Sequence, residues 1–151
     1  MKKRILGVLL VVGMLLVLSG CSKKEAVTAD GFKSTMEDAG YTITDSTKQF
    51  EGQPVDSVQL AVKDEYQIEF FVVPTVDQAQ NAYNQNKSNF EKAETSSSLM
   101  KSVEMKNFSY YAMTSGGIYY VVSRVDNTFI YVHAPEIYKD EISDIISELG
   151  Y

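Results

Sequence analysis

The sequence predicts an α+β domain in which antiparallel sheet segments pack with three helices, in the order α-βββ-α-βββ-α. Two observations lead to this prediction. Apolar residues recur at helical spacing in three segments bounded by capping residues. Between them, apolar and polar residues alternate as in half-buried strands, and the turns carry Gly, Asp or Asn. A pseudo-repeat of the two halves is an alternative interpretation. Gly-Tyr recurs after a helix at 40–41 and at 150–151, but a dipeptide that recurs twice is weak evidence for it.

Each predicted helix has a start signal, an apolar stripe and a stop. The start signals are Thr28 as N-cap of the first helix, the capping-box pair Thr75 and Gln78 in the second, and Pro135 in the third. The apolar stripes consist, in chain order, of Phe32, Met36 and Ala39; of Val76, Ala79, Tyr83 and Phe90; and of Tyr138, Ile142, Ile145, Ile146 and Leu149. Gly40 and Gly150 stand at C-cap positions, and the second helix ends between 90 and 92.

The first half contains a predicted hairpin whose register depends on its loop. Two apolar sets alternate with polar residues: Val58, Leu60 and Val62, then Tyr66, Ile68 and Phe70. A two-residue turn at 64–65 would place the sets on different faces of the sheet. A three-residue loop at 63–65 would keep all six together, so we predict that loop. The segment 41–44 supplies the third strand.

The second half contains three predicted strands between Tyr110 and His133, joined by tight turns at 116–117 and 126–127. One sheet face carries mainly β-branched or small residues, as expected beneath a helix: Tyr110, Ala112, Tyr119, Val121, Ser123, Val125, Ile130 and Val132. The opposite face is aromatic with polar tips: Tyr111, Met113, Ile118, Tyr120, Val122, Arg124, Phe129, Tyr131 and His133.

The aromatic face has two interpretations. A second layer of the fold can cover it, with the tyrosine hydroxyl groups reaching water. Alternatively, it is an exposed surface that binds a protein, peptide or glycan, because rigid aromatics and arginine are enriched in binding hot spots. The candidate partner-binding residues are Tyr111, Tyr120, Arg124, Phe129 and Tyr131. This second interpretation requires that all five be accessible together.

The stretch from Lys92 to Asn107 shows no clear periodicity and is centred on a Thr-Ser-Ser-Ser run. We predict a mobile surface loop between the second helix and the second set of strands. A lid over a site is the alternative, because long loops are sometimes functional.

The N-terminus predicts a membrane anchor. Residues 2–4 are basic, residues 5–18 are uncharged and largely apolar, and the run ends in Leu18-Ser19-Gly20-Cys21. The apolar run is shorter than the about 20 residues of a membrane span. The four-residue box indicates a lipoprotein signal peptide at 1–20, an acylated tether at 21–27 that begins with lipid-bearing Cys21, and one α+β domain at 28–151. The alternatives are an ordinary secretory peptide and an uncleaved anchor.

Charge and residue inventory exclude several functions. Residues 1–20 hold three positive charges and no acid, so the formal charge of −6 for the whole chain becomes −9 for the remainder. Such a surface repels nucleic acid. His133 is the only histidine and Cys21 the only cysteine, and there is no nucleophile elbow or phosphate cradle. We therefore predict no catalytic residue, metal or cofactor. The alternative is an extracytoplasmic hydrolase with carboxylates brought together by the fold in a deep pocket.

Four segments together resemble a known group of proteins: the box ending at Cys21, Thr28-Ala29-Asp30-Gly31-Phe32, Gln67-Ile68-Glu69-Phe70-Phe71 and Ser123-Arg124-Val125-Asp126-Asn127-Thr128. Over essentially its whole length the chain resembles small surface lipoproteins of Gram-positive Bacillota. The resemblance implies export, acylation and display on the outer side of the cell membrane. It implies no catalytic residue.

Overall fold

The structure, a computed structural model, describes residues 23–151, so the predicted signal peptide at 1–20 and the predicted lipidation site Cys21 lie outside the described residues. Within that range the chain has the predicted α+β fold, with three α-helices and a seven-stranded antiparallel sheet. The helices are α1 (Ala29–Asp38), α2 (Val76–Glu91) and α3 (Lys139–Glu148). The strands are β1 (Thr42–Asp45), β2 (Ser57–Lys63), β3 (Tyr66–Val72), β4 (Leu99–Glu104), β5 (Phe108–Ser115), β6 (Ile118–Val125) and β7 (Thr128–Pro135).

The sheet has the strand order β1-β2-β3-β7-β6-β5-β4. The three strands of the first half therefore lie beside the four of the second half, and the halves meet where β3 pairs with β7. Helices α1 and α3 pack on one side of the sheet, which we call the first face. Helix α2 packs on the other side, the second face, over β5, β6 and β7. The helices thus form two outer layers with the sheet between them.

The first face holds the larger core cluster. Its members come from alternate positions of the strands and from the apolar stripes of α1 and α3, and they include Phe32, Met36, Ile68, Phe70, Val121, Ile130, Val132, Ile142 and Ile146. The prediction that the β-branched face of the second half lies beneath helices is therefore confirmed. Side chains at successive strand positions point to opposite faces, so the aromatic set of the second half lies toward α2.

The predicted helix boundaries are confirmed at most positions. The Thr28 hydroxyl accepts the N–H of Gly31 at 3.0 Å, and Thr75 with Gln78 forms a reciprocal capping box. Gly40 ends α1 with φ of 86°, a left-handed conformation that glycine adopts without steric cost. One start signal differs: Pro135 is the last residue of β7, and α3 begins only at Lys139, after a short 3₁₀ turn at Glu136–Tyr138.

The predicted three-residue loop between β2 and β3 is wrong. Lys63 pairs with Tyr66, so the turn contains only Asp64 and Glu65, and Asp64 takes a positive φ of 50°. Because β2 and β3 bury residues on both faces of the sheet, they do not need to place their apolar residues on one side. Val58 packs on the second face, whereas Ile68 packs on the first.

The predicted mobile loop at 92–107 contains a strand. β4 forms one edge of the sheet and pairs only with β5, which gives the second half four strands where three were predicted. All six residues of β4 are exposed, so the strand has no buried face and its sequence has no alternation that could reveal it. The Ser115 hydroxyl holds the preceding segment by donating to the carbonyl of Ala93 at 2.7 Å.

The described part of the predicted tether, residues 23–27, lies against the domain. Ala26 and Val27 pack on the first-face core, and the Asn107 amide donates to the carbonyl of Lys24 at 2.7 Å. Part of the predicted tether is thus in contact with the predicted domain at 28–151.

Candidate functional site

The five residues predicted to bind a partner do not form a common exposed surface. Tyr111 is 2% exposed, Arg124 1% and Phe129 7%, while Tyr120 and Tyr131 are half-buried. Helix α2 lies over this face and removes most of its area from water. The prediction that all five are accessible together is wrong, and the interpretation that a second layer covers the aromatic face is correct.

Phe90, near the end of α2, accounts for much of this cover. Its ring centroid lies 5.0 Å from that of Tyr120 and 5.4 Å from that of Tyr131. Nearer the start of α2, Phe129 stacks on Phe71 at 4.6 Å within a cluster that includes Ala79. These distances are typical of aromatic pairs in protein cores. Most rings of this face therefore stabilise the domain.

Arg124 is a buried cation and cannot contact a partner. Its guanidinium donates to the Ser109 hydroxyl at 3.3 Å and to the backbone carbonyl of Asp126 at 3.2 Å, while Nε has no hydrogen-bond partner among the described residues. Burial lowers the pKa of Arg124, and the Asp126 carboxylate acts in the opposite direction. Because an arginine in a protein keeps its proton, the side chain remains charged inside the second face.

The part of the second face that α2 leaves uncovered forms a groove of about 440 Å³. It lies where β2 ends, β3 begins and β7 ends. Three carboxylates, two tyrosines, an amide, a histidine and a valine line it: Val62, Asp64, Glu65, Tyr66, Gln67, Glu69, Tyr131 and His133. We call it the β3–β7 groove. Two of its walls come from neighbouring strands, because Glu69 lies directly opposite Tyr131 in the sheet register.

Aromatic rings form one wall of the β3–β7 groove. His133 stacks on Tyr120 with 5.0 Å between ring centroids and 15° between ring planes. Tyr120 in turn packs against Phe90, one residue before α2 ends. The end of α2 thus packs against Tyr120, whereas the side chains of His133 and Gln67 remain exposed.

The groove has a negative electrostatic character. Among the described residues that line it there are three carboxylates and neither Lys nor Arg. Gln67 donates from its side-chain nitrogen to the Glu69 carboxylate at 2.8 Å, which positions that carboxylate beside Tyr131. Burial raises the pKa of Tyr131, and the charge of Glu69 raises it further. The hydroxyl of Tyr131 therefore stays neutral beside the Glu69 side chain.

A second depression, of about 180 Å³, continues the groove toward α2. It shares Glu69 and Tyr131 with the groove and adds Phe71, Asn86 and Phe129. The shared residues make the two depressions one elongated surface, acidic at its open end and apolar beneath the helix. This shape suits an extended chain segment better than a small compact molecule.

The arrangement is suited to binding cations. Carboxylates attract a positive charge, and the faces of Tyr and His rings offer a second favourable contact for an ammonium or guanidinium group. The hydrolase alternative requires acids with a raised pKa in a deep pocket. In this groove the groups with raised pKa values are Tyr66 and Tyr131, in each case first because of burial. No group of three or more His, Cys, Asp or Glu in residues 23–151 is arranged to hold a metal ion.

Comparison with protein-family models, curated proteins and solved structures finds no match to this chain. Among the described helices, none is both long and apolar enough to cross a membrane.

Sequence reasoning identified Tyr120 and Tyr131 but missed the other half of the site. Gln67, Glu69 and His133 come together only because β3 pairs with β7, and that pairing joins residues far apart in the chain. One signal was available: Gln67, Glu69, Tyr131 and His133 alternate in their strands with buried residues of the opposite face. These polar residues stand on a sheet face that is otherwise apolar, and they lie where no described helix covers the sheet.

Proposed function

We propose that this chain is a lipoprotein anchored through Cys21 on the extracytoplasmic side of the cell membrane, and that its domain is a non-catalytic binding module. Its ligand is a positively charged, extended segment of a partner protein or peptide, held in the β3–β7 groove. The anchor is supported by the basic start, the apolar run and the Leu-Ser-Gly-Cys box at 18–21. Two acyl chains bury enough methylene groups for stable attachment.

The observation that carries the binding role is the composition of the groove. Three carboxylates and the Tyr131 ring line an uncovered part of the sheet, and neither Lys nor Arg is among the described residues that line it. Acidic residues lining a surface cleft attract a basic segment and favour its encounter with the site. The aromatic side chains supply apolar contact that a purely charged surface lacks.

The anchor is tested by replacing the modified residue. Cys21→Ala should abolish acylation and move the protein from the membrane fraction to the soluble fraction or the medium. Fractionation together with mass spectrometry of the mature N-terminus measures both effects. An acylated, membrane-bound Cys21→Ala protein would contradict this part of the proposal.

The groove is tested with a fluorescent peptide of alternating lysine and glycine, titrated with the domain and read by anisotropy. We expect Glu69→Gln to weaken binding by about two- to fivefold, since one exposed ion pair contributes about 0.2–1 kcal/mol. Glu51→Gln is the matched control, because Glu51 is an exposed acid that does not line the groove. Equal affinity of the two variants would show that the peptide binds elsewhere. A peptide with serine in place of lysine should not bind.

A further inference from the structure

The first described residues are held to the domain by contacts with the chain after α3, with the first residue of β5 and with the residue before it. The Lys24 ammonium donates to the carbonyl of Gly150 at 2.8 Å and lies 3.9 Å from the centroid of the Phe108 ring. The Asn107 amide holds the Lys24 carbonyl at 2.7 Å. Burial lowers the pKa of Lys24, in keeping with a lysine that packs against the protein. We call residues 23–27 the N-terminal strap.

The strap contacts one end of the sheet. Asn107 precedes β5, and Lys23 forms an ion pair at 3.4 Å with Asp126, which lies in the turn between β6 and β7. The same turn is joined to the end of β3, because Asn127 donates to the carbonyl of Val73 at 2.7 Å. We call this the strap end of the domain.

The β3–β7 groove lies at the opposite end. His133 is near the end of β7, whereas Thr128 begins that strand beside the strap end. Tyr131 and His133, which line the groove, are three and five residues from Thr128, and an antiparallel strand rises about 3.4 Å per residue, so the groove extends from about 10 Å to about 17 Å from the strap end. Strand β3 runs antiparallel to β7 and gives the same separation between Val72 and Gln67.

We propose that the strap end faces the lipid headgroups and that the groove faces away from the bilayer. This proposal rests on the anchor at Cys21 proposed above. Only Ser22 separates Cys21 from Lys23, and two extended residues span about 7 Å. Because the strap is held by hydrogen bonds and an ion pair, the short connection fixes which end of the domain is next to the membrane.

The exposed side chains of the strap end suit a lipid surface. Met105 is 51% exposed and Val76 45%, and Lys106 is exposed between β4 and β5. Apolar side chains next to a lysine match the boundary between acyl chains and headgroups. Glu69, the groove carboxylate nearest the strap end, is three residues or about 10 Å along β3 from Val72. This exceeds the Debye length of about 8 Å at physiological salt, so its repulsion by anionic lipids is largely screened.

The orientation is tested with the acylated chain in phosphatidylcholine vesicles that carry a short-range nitroxide quencher on their headgroups. Cys21 is the only cysteine and is blocked by its lipid, so a fluorophore can be attached at one introduced cysteine. Lys106→Cys reports the strap end. Ile137→Cys reports the opposite end, where Ile137 is 81% exposed and outside the groove. We expect at least threefold stronger quenching at 106 than at 137.

A matched variant inserts ten Gly and Ser residues between Ser22 and Lys23. The long flexible connection should reduce quenching at 106 to that at 137 while leaving the protein on the vesicles. Equal or reversed quenching in the vesicle-bound protein without the insertion would overturn the orientation and leave the anchor standing. A chain that does not float with vesicles, or whose Cys21 carries no lipid, would instead overturn the anchor and the orientation with it.

Discussion

The two faces of the sheet differ in how completely their polar groups are paired. Beneath α1 and α3, on the first face, tyrosine hydroxyls meet hydroxyl partners. Tyr41 and Tyr66 are 2.6 Å apart, Tyr110 and Tyr119 are 3.3 Å apart, and Tyr151 hydrogen-bonds Thr128. Buried polar groups that are paired in this way cost little and fix the positions of the elements that carry them.

On the second face, beneath α2 alone, pairing is incomplete. The Tyr83 hydroxyl and Arg124 Nε have no hydrogen-bond partner among the described residues. Burial raises the pKa of Tyr83, and Ser102 acts in the opposite direction with a smaller effect. The Tyr83 hydroxyl and Ser102 are nevertheless not in hydrogen-bonding geometry. The first face is therefore a core in which the tyrosine hydroxyls named above have hydrogen-bond partners. The second face combines a core that contains polar groups unpaired within the described part of the chain with an open groove. Functional sites are expected in regions of a fold where buried polar groups lack hydrogen-bond partners.

The largest expected effect tests whether the second face is a true core. Phe129→Ala removes a ring that is 7% exposed and stacked on Phe71, so the free energy of unfolding should fall by about 3–5 kcal/mol. Chemical denaturation measures the change. A near-neutral variant would mean that α2 does not hold this face closed in solution, and the five-residue recognition surface would have to be reconsidered.

The first face has its own test in α3. Ile145 is 5% exposed within the larger core cluster, and Ile145→Ala should cost about 2–5 kcal/mol. Ser147→Ala, on the exposed side of the same helix, is the control and should change stability by less than about 0.5 kcal/mol. If both variants unfold at the same denaturant concentration, α3 does not pack on the sheet as described.

Alkaline pH should weaken the first face. Burial raises the pKa of Tyr151 from the usual 10.0 to about 12, and it raises those of Tyr66 and Tyr119 well above their normal range. A raised folded-state pKa contributes stability that is complete below pH 10 and is lost as the pH rises toward 12. For Tyr151 alone the loss is about 3 kcal/mol. Denaturation of the wild type and Tyr151→Phe at pH 9 to 12 should show a shallower decline in the variant, and parallel declines would contradict the prediction.

The smallest expected change in stability distinguishes the two faces of the sheet most directly. Tyr83→Phe deletes a buried hydroxyl without a described partner, so stability should change by less than about 0.5 kcal/mol or rise slightly. Tyr41→Phe deletes a paired hydroxyl and leaves that of Tyr66 unsatisfied, which should cost about 1–3 kcal/mol. Equal costs in denaturation experiments would mean that Tyr83 has a partner in solution.

Local features of the fold were predictable because their causes are local. Thr28, the Thr75 and Gln78 pair, and Gly40 satisfy helix ends within a few residues, and each was identified correctly. The two tight turns of the second half are set by Gly116-Gly117 and Asp126-Asn127, where the backbone adopts positive φ.

Features that depend on distant packing were not predictable. The register of β2 against β3 was argued from a single buried face, but these strands bury residues on both faces, Ile68 and Phe70 on the first and Val58 and Phe71 on the second. Strand β4 has no buried residue and therefore no periodic signal. The groove requires the pairing of β3 with β7 and the position at which α2 ends, neither of which is encoded near Glu69 or His133.

The placement of strap and groove at opposite ends of one sheet has a mechanical consequence. In the orientation proposed above, a partner pulled away from the cell would load the domain at His133 and Gln67, while the anchor would hold it through Lys23, which is paired with Asp126. The force would then run along the strands, and the hydrogen bonds of antiparallel strands lie perpendicular to it. Such a load would shear many bonds at once and would not open them one by one. With the proposed anchor and groove, the domain would therefore transmit tension from a captured partner to the membrane.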